Sequence, residues 1–445
     1  MKKAYFIGIG GIGMSALARY YQRQGAAIYG YDRTATELTR TLEREGMHIH
    51  YDDAVRHIPE GVDLVVYTPA VPASHSELQW FRQNGYAVLK RAEVLGRISR
   101  EKRAVAVAGT HGKTTTSSLV AHLLRAGGVD ATAFIGGLAL NIGGNYAEGS
   151  SDWVVVEADE FDRSFLHLHP EVAILNSVDP DHLDIYGTPE ALRDSYAQFA
   201  SQVDPNGLLL VQADIHLPNA PHAHTFGIEK GDYRAAALRV EKGWMVFDLH
   251  TPVHHFEGLR MAFPGIYNVS NATAAIAAAL YVGVLPERIA PALATYSGVR
   301  RRFEFVLRTD AVVFIDDYAH HPEELNAVIE AVRTLYPERK LTGVFQPHLF
   351  SRTRDFADGF AAALDRLDSA LLLDIYPARE EPMPGVTSGM IVDRMTLADK
   401  KLISKAELSG EIERRRPELL MTLGAGDIDA LVHPLAETLK TVMSC

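Results

Sequence analysis

Residues 104–116 read Ala-Val-Ala-Val-Ala-Gly-Thr-His-Gly-Lys-Thr-Thr-Thr. An apolar run, a glycine-bounded loop and Lys-Thr lead into a helical pattern through Leu119, Val120, Leu123 and Leu124. Backbone N–H groups in such a loop surround phosphate oxygens, and the helix N-terminus faces their charge. Lys113 is placed to reach terminal phosphates, and the Thr114 hydroxyl is offered to Mg²⁺. Val107 stands where the usual pattern has its first glycine, so the loop is a shorter Gly-x-x-Gly-Lys-Thr form. Gly109, Thr110, His111, Gly112, Lys113, Thr114 and Thr115 make up this predicted nucleotide-phosphate site.

Three further constellations surround it. Strand-like Trp153–Val156 ends in Glu157-Ala158-Asp159-Glu160, and Val172–Leu175 ends in Asn176-Ser177-Val178-Asp179-Pro180-Asp181-His182. Carboxylates and an imidazole at adjacent strand ends beside a phosphate loop suit Mg²⁺, with Glu157 the first choice of ligand and His182 the second. Asn268 and Asn271, three apart, share a face of a helix start, where paired amides can read an adenine edge or simply cap the helix. Near the N-terminus, Gly8, Gly10 and Gly13 form Gly-x-Gly-x-x-Gly between a strand and a helix, and Asp32 follows a second strand. That is a dinucleotide-type turn with a ribose acceptor. Gly10, Gly11, Ile12, Gly13, Ser15, Asp32 and Thr68 are expected to share this crevice.

The elements that must position these groups are strands alternating with helices, which makes the chain α/β. Three segments follow: 1–99 as a Rossmann-like domain, 100–297 as a phosphate-loop-type central domain and 298–445 as a second Rossmann-like domain. The polar stretch Ser99–Arg103 marks the first boundary. The Gly/Asn-rich stretch 136–145 is too full of turn formers to be read as an element. Residues 233–239 and 243–249 read as an antiparallel excursion. In the third segment, Asp316, Asp317, His320, His321, His348, Arg352, Arg354 and Arg379 fall at strand ends.

Composition narrows the classes. Hydrophobic content of 47% and charged content of 22% describe an ordinary globular protein. A net charge of -12 argues against a nucleic-acid partner. Cys445 is the one cysteine, so no disulfide framework forms, in keeping with the cytoplasm. No apolar run approaches a membrane span, and Lys2-Lys3 does not open a signal peptide. The turn at Gly8–Gly13 alone is also compatible with NAD and an oxidoreductase, but no hydride-transfer machinery accompanies it. ATP-driven joining of a nucleotide-linked substrate to a second molecule accounts for all three segments.

Gly-Thr-His-Gly-Lys-Thr-Thr-Thr (109–116), Glu-Ala-Asp-Glu (157–160), Asp-His (181–182), Asn-x-x-Asn (268–271), Arg-Arg-Phe-Glu (301–304) and Asp-Tyr-Ala-His-His-Pro (317–322) resemble the motifs of the Mur ligase family, in its order and across essentially the whole chain. The segment Gly8–Ser15 is most similar to the alanine-adding branch. The resemblance implies that the first domain holds a UDP group rather than NAD, with ATP in the central domain and the third domain closing over it. It implies that L-alanine is joined to UDP-N-acetylmuramate through an acyl phosphate; the recycling branch, which adds a tripeptide to the same sugar, is the alternative.

By the same resemblance Lys113, Glu157, His182, Arg302 and His348 are catalytic. Thr114, Glu157 and His182 hold Mg²⁺. Asn268 and Asn271 contact adenine or its neighbourhood, Arg302 the phosphates and Asp317 the ribose. His111 lies on the UDP-sugar side, and His348 and Arg352 face the amino acid. A monomer or weak homodimer is expected. Three positions depart from the pattern. Tyr267 stands where His is common, and Leu349-Phe350 stand where Arg-Tyr is common. No lysine lies between Lys113 and Lys230, a region in which related ligases carbamylate one.

Overall fold

A computed structural model describes residues 1–179, 186–217, 220, 222–378 and 380–443. Strands β1 (Lys3–Ile7), β2 (Ala27–Tyr31), β3 (His48–His50), β4 (Leu64–Tyr67) and β5 (Val88–Lys90) form the first sheet, in the order β3-β2-β1-β4-β5. All its neighbours are parallel. The order turns back between β1 and β4, and a ligand crevice lies at the carboxyl ends of strands at such a point.

The second sheet runs through β6 (Arg103–Ala108), β7 (Thr132–Ala139), β8 (Gly144–Ala147), β9 (Trp153–Glu157), β10 (Val172–Leu175), β11 (Leu208–Gln212), β12 (His224–Ile228), β13 (Tyr233–Glu241), β14 (Trp244–His250) and β15 (His255–Met261). Its order is β15-β14-β13-β12-β11-β10-β6-β9-β7-β8. Central β6 pairs in parallel with β9 and β10. Every residue of Ala104–Ala108 is 0% exposed, because both faces of the strand are covered. Small alanines and β-branched valines alternate there, which lets helices approach closely.

The stretch 136–145 departs from the expectation of a loop. Gly136, Gly137, Leu138 and Ala139 complete β7, and β8 returns antiparallel to it. Glycine persists in this strand because a Cβ on Gly136 would lie 2.4 Å from Glu157 Oε2. Turn-former composition therefore marks close packing at Gly136 and a true turn at Leu140–Gly143. Similarly, Ser99–Glu101 close the helix Arg91–Glu101, and β6 begins at Arg103, leaving Lys102 between them.

Two compact units divide the chain. One gathers 1–237, 247–259 and 267–297; the other gathers 238–246, 260–266 and 298–445. The second unit holds β16 (Glu304–Arg308), β17 (Val313–Asp317), β18 (Leu341–Phe345), β19 (Ser369–Leu372), β20 (Lys400–Leu402) and β21 (Leu419–Leu423), ordered β16-β17-β21-β18-β19-β20. β16 is antiparallel to β17 and the remaining neighbours are parallel. The edge strands β16 and β20 were not legible as strands in the sequence. β20 reads Lys-Lys-Leu, polar enough to resemble a loop.

Candidate functional site

β6 ends at Ala108 in mid-sheet, and helix Lys113–Ala126 starts directly after the loop. Gly109 (φ 126°) and Gly112 (φ 79°) take left-handed conformations. A Cβ on Gly112 would sit 2.8 Å from Asn271 Oδ1 and 2.9 Å from Asn176 Nδ2, so glycine alone lets the loop close against these amides. Asn268 and Asn271 are both buried in the first turns of helix Ile266–Val282. Asn271 thus lies beside the phosphate loop. Thr110 Oγ1 donates to the Asp179 carbonyl at 2.9 Å, and His111 N–H donates to Ser177 Oγ at 2.8 Å. The His111 ring is largely exposed, with Nε2 3.6 Å from Asp179 Oδ2.

Lys113 Nζ donates to Glu160 Oε1 and Oε2 at 2.9 and 2.8 Å and to the Gly109 carbonyl at 2.8 Å. Glu160 is 1% exposed, so this is a buried ion pair built into the loop. Glu157 lies one strand over from the loop. It accepts from Thr114 Oγ1 at 3.2 Å, Ser117 Oγ at 3.1 Å and Gly136 N at 2.7 Å. A carboxylate flanked by two hydroxyls is a hard-oxygen donor set, which fits Mg²⁺. Thr114 and Glu157, the predicted metal ligands, are therefore in direct contact. His182 lies outside the described residues, as does Arg379.

At the first sheet, Gly8 N and Ile9 N donate to the Tyr31 carbonyl, and Gly10 N donates to Asp32 Oδ2 at 2.8 Å. A Cβ on Gly8 (φ 87°) would fall 2.5 Å from Thr68 Cγ2. Gly10, Asp32 and Thr68 thus gather around one turn, with Gly11 exposed and Ile12 half-buried beside it. Ser15 is 0% exposed; its hydroxyl donates to the Ile12 carbonyl and accepts from Asn145 Nδ2, each at 2.9 Å. It fastens the turn to the second sheet.

Arg91 was not singled out from the sequence. Its guanidinium packs where a Cβ on Gly13 would come within 2.6 Å, and it meets Asp159 Oδ2 at 3.3 Å. It joins the glycine turn to the segment that carries Glu157 and Glu160. The signal available was a Lys-Arg pair at the end of a short strand. Glu160 was quoted within a motif but given no partner, because a contact 47 residues from Lys113 is invisible to spacing.

The second unit collects its own groups. Arg301 (φ 61°) turns inward: Nε reaches Asp316 Oδ2 at 3.2 Å, and the other nitrogens reach the Gly424 and Gly426 carbonyls. Arg302 is left exposed. Asp317 accepts from Phe303 N at 2.6 Å and Ala319 N at 2.8 Å, and burial pushes its carboxyl up to about 6. His348 stacks on Tyr376 at 5.8 Å and meets His320 edge-on at 5.9 Å. Burial lowers His320, and the nearby Arg352 adds to this. Arg352 Nη1 is buried without a protein acceptor, whereas exposed Arg354 pairs with Asp355 at 2.7 Å. Between His348 and Arg352, Leu349 adopts φ 69° and ψ 138°, a region that costs a non-glycine residue roughly 1–3 kcal/mol.

Three family models match the chain in succession: "Mur ligase family, catalytic domain" over 3–103, "Mur ligase middle domain" over 107–279 and "Mur ligase, glutamate ligase domain" over 301–427. The UDP-N-acetylmuramate–L-alanine ligase of Flavobacterium johnsoniae is 48% identical over 99% of this chain and 98% of its own. The solved UDP-N-acetylmuramate–alanine ligase of Thermotoga maritima superposes with a TM-score of 0.84 at 28% identity, covering 99% of this chain and 100% of its own. A murein peptide ligase of Psychrobacter arcticus shares the fold at a TM-score of 0.67 and 22% identity, over 99% of both chains.

Proposed function

Because the chain belongs to the Mur ligase family, we infer that it joins L-alanine to the lactyl carboxylate of UDP-N-acetylmuramate at the expense of ATP, in peptidoglycan precursor synthesis. The observation that carries this reading is Lys113 and the Glu157–Thr114 pair at one phosphate loop, in a chain 48% identical end to end to an alanine ligase. A carboxylate and an amine do not condense in water unaided. The γ-phosphoryl group of ATP passes to the lactyl carboxylate, giving an acyl phosphate and ADP. The amine of alanine then adds to the acyl carbon, loses a proton, and the tetrahedral intermediate expels phosphate. Such transfers depend on positioning and charge neutralisation.

Lys113 supplies that charge, with Glu160 orienting its ammonium. Thr114, Glu157 and His182 are the residues that would hold Mg²⁺, which when bound neutralises phosphate charge. Gly10, Gly11, Ile12, Gly13, Ser15, Asp32, Thr68 and His111 bind the UDP sugar, and Arg91 adds a cation beside its pyrophosphate. Asn268, Asn271, Arg302 and Asp317 serve ATP. Arg352 receives the alanine carboxylate, for which a buried guanidinium N–H is suited. His348 relays the amine proton. Among the described residues no helix is long and apolar enough to cross a membrane.

The test is ADP and phosphate release from ATP and Mg²⁺ with UDP-N-acetylmuramate. Release with L-alanine is expected. Release solely with the recycling tripeptide would move the chain to the peptide-ligase branch. Release with neither would overturn the substrate assignment.

A further inference from the structure

We propose that His50, Asp52 and His57 form a binding site for a borderline divalent ion of the Zn²⁺ class, remote in sequence from the phosphate-loop carboxylates and independent of them. β3 ends at His50, and the single 3₁₀ turn Val55–His57 brings the second imidazole back over it. The two rings stack with centroids 4.3 Å apart and planes 21° apart. His57 Nε2 lies 2.8 Å from Asp52 Oδ1. His50 Nδ1 lies 3.8 Å from that oxygen and 2.9 Å from the Asp52 carbonyl. One atom from each of the three side chains falls within 4.8 Å of the others. Arg56 holds the other carboxylate oxygen, Oδ2, which also lies 3.0 Å from His57 Nε2.

Hydrogen bonding on the inner side orients the His50 ring. The Tyr5 hydroxyl donates its one hydrogen to Glu77 Oε2 at 2.9 Å. The same hydroxyl oxygen lies 2.7 Å from His50 Nε2, and Glu77 Oε1, of a fully buried side chain, lies 3.3 Å from that nitrogen. With the tyrosine hydrogen given to Glu77, the tautomer that carries its hydrogen on Nε2 satisfies that nitrogen. In the neutral ring, Nδ1 then presents a lone pair to the Asp52 carbonyl and carboxylate oxygens. Lone pairs brought together in this way are satisfied either by a proton or by a metal ion, and zinc retention separates the two. A histidine whose far N–H faces a buried carboxylate is the arrangement that orients and strengthens a metal ligand. Two imidazoles with one carboxylate favour Zn²⁺, Co²⁺ or Ni²⁺ over Mg²⁺, so the site is chemically separate from the oxygen donors around Glu157.

The ion would fasten the β3 end to the 3₁₀ turn that follows it. Next to the ligands, the Asp53 carboxylate accepts from Ser76 N at 2.9 Å, and Ala54 N donates to Glu77 Oε1 at 3.3 Å, both at the start of helix Ser76–Gln83.

The experiment uses the full chain, stripped with chelator and dialysed against Zn²⁺ in excess Mg²⁺, which occupies hard-oxygen sites. Wild type is expected to retain one more zinc per chain than His57→Ala or Asp52→Asn. Zn²⁺ is expected to raise the thermal midpoint of wild type and not of the variants. Co²⁺ should give a visible d–d absorption in wild type that His57→Ala lacks. His57 lies at a partly exposed turn, so the variant should fold, with an unchanged ADP-release rate as the check. If it does not fold, Asp52→Asn decides. Equal metal content in wild type and variants overturns the site, and the stacked pair is then held by a proton on His50.

Discussion

Lys113 donates to both oxygens of buried Glu160, and a phosphate group would compete for the same ammonium. Lys113→Ala is therefore expected to lower ADP release by roughly 10³-fold, because it removes a charge aimed at the transferring phosphoryl group. UDP-N-acetylmuramate binding by calorimetry should stay unchanged; a variant with near-normal turnover would refute the loop assignment. Glu160→Gln removes one partner of a buried pair. It should cost about 2–3 kcal/mol of stability in urea unfolding, less than a fully buried pair because Lys113 keeps some exposure and the Gly109 carbonyl. ATP should recover part of that loss. Asp317 carries a pH signature. Burial raises its carboxyl to about 6, so the neutral form persists in the folded protein well above the usual carboxylate range. As a ribose acceptor it must be ionised, so affinity for ATP should rise as pH climbs through 6 and level off above 7. Asp317→Asn should abolish that dependence; a profile shared by wild type and variant would exclude the role.

At the scale of elements, β7 places a glycine where a side chain would strike the Glu157 carboxylate. Gly136→Ala puts a Cβ 2.4 Å from Glu157 Oε2, so either the strand or the carboxylate must shift. A displacement near 1 Å at a phosphoryl-transfer site costs on the order of 10²-fold in rate. The loss should appear with a raised Mg²⁺ requirement while the Gly136 N–H bond to Glu157 weakens. Unchanged magnesium titration would show that Glu157 is not a ligand. Leu349 illustrates the same coupling in the second unit. Its N–H donates to the Tyr376 carbonyl and its carbonyl accepts from Thr353, so hydrogen bonds on both sides hold a φ of 69°.

Across the whole molecule, the glycine turn proposed for the sugar nucleotide and the phosphate loop proposed for ATP stand on different sheets of the first unit. Ligand linkage should therefore separate them. At a hundredfold excess over Kd, UDP-N-acetylmuramate should stabilise the protein by about 2.7 kcal/mol. Thermal unfolding should show that shift retained in Lys113→Ala and reduced in Asp32→Ala. Loss of the shift in both variants would mean that the two sites are not independent. The net charge of -12 does not oppose two anionic nucleotides, because backbone N–H groups, Lys113 and Arg91 set the local field.

Short-range pattern by itself determined the alternating strands and helices, the phosphate loop, the glycine turn with Asp32 and the family, since each rests on residues close in sequence whose periodicity or spacing carries a mechanism. It misread 136–139 and 144–145 on either side of a true turn, because composition cannot distinguish a glycine that turns from one that makes room for Glu157. Only the tertiary structure decided that Glu160 pairs with Lys113, that Arg91 bridges Gly13 to Asp159, and that Arg301 rather than Arg302 turns inward. Each of these depends on long-range packing that brings separate strand ends together, and burial then sets which charges must find partners.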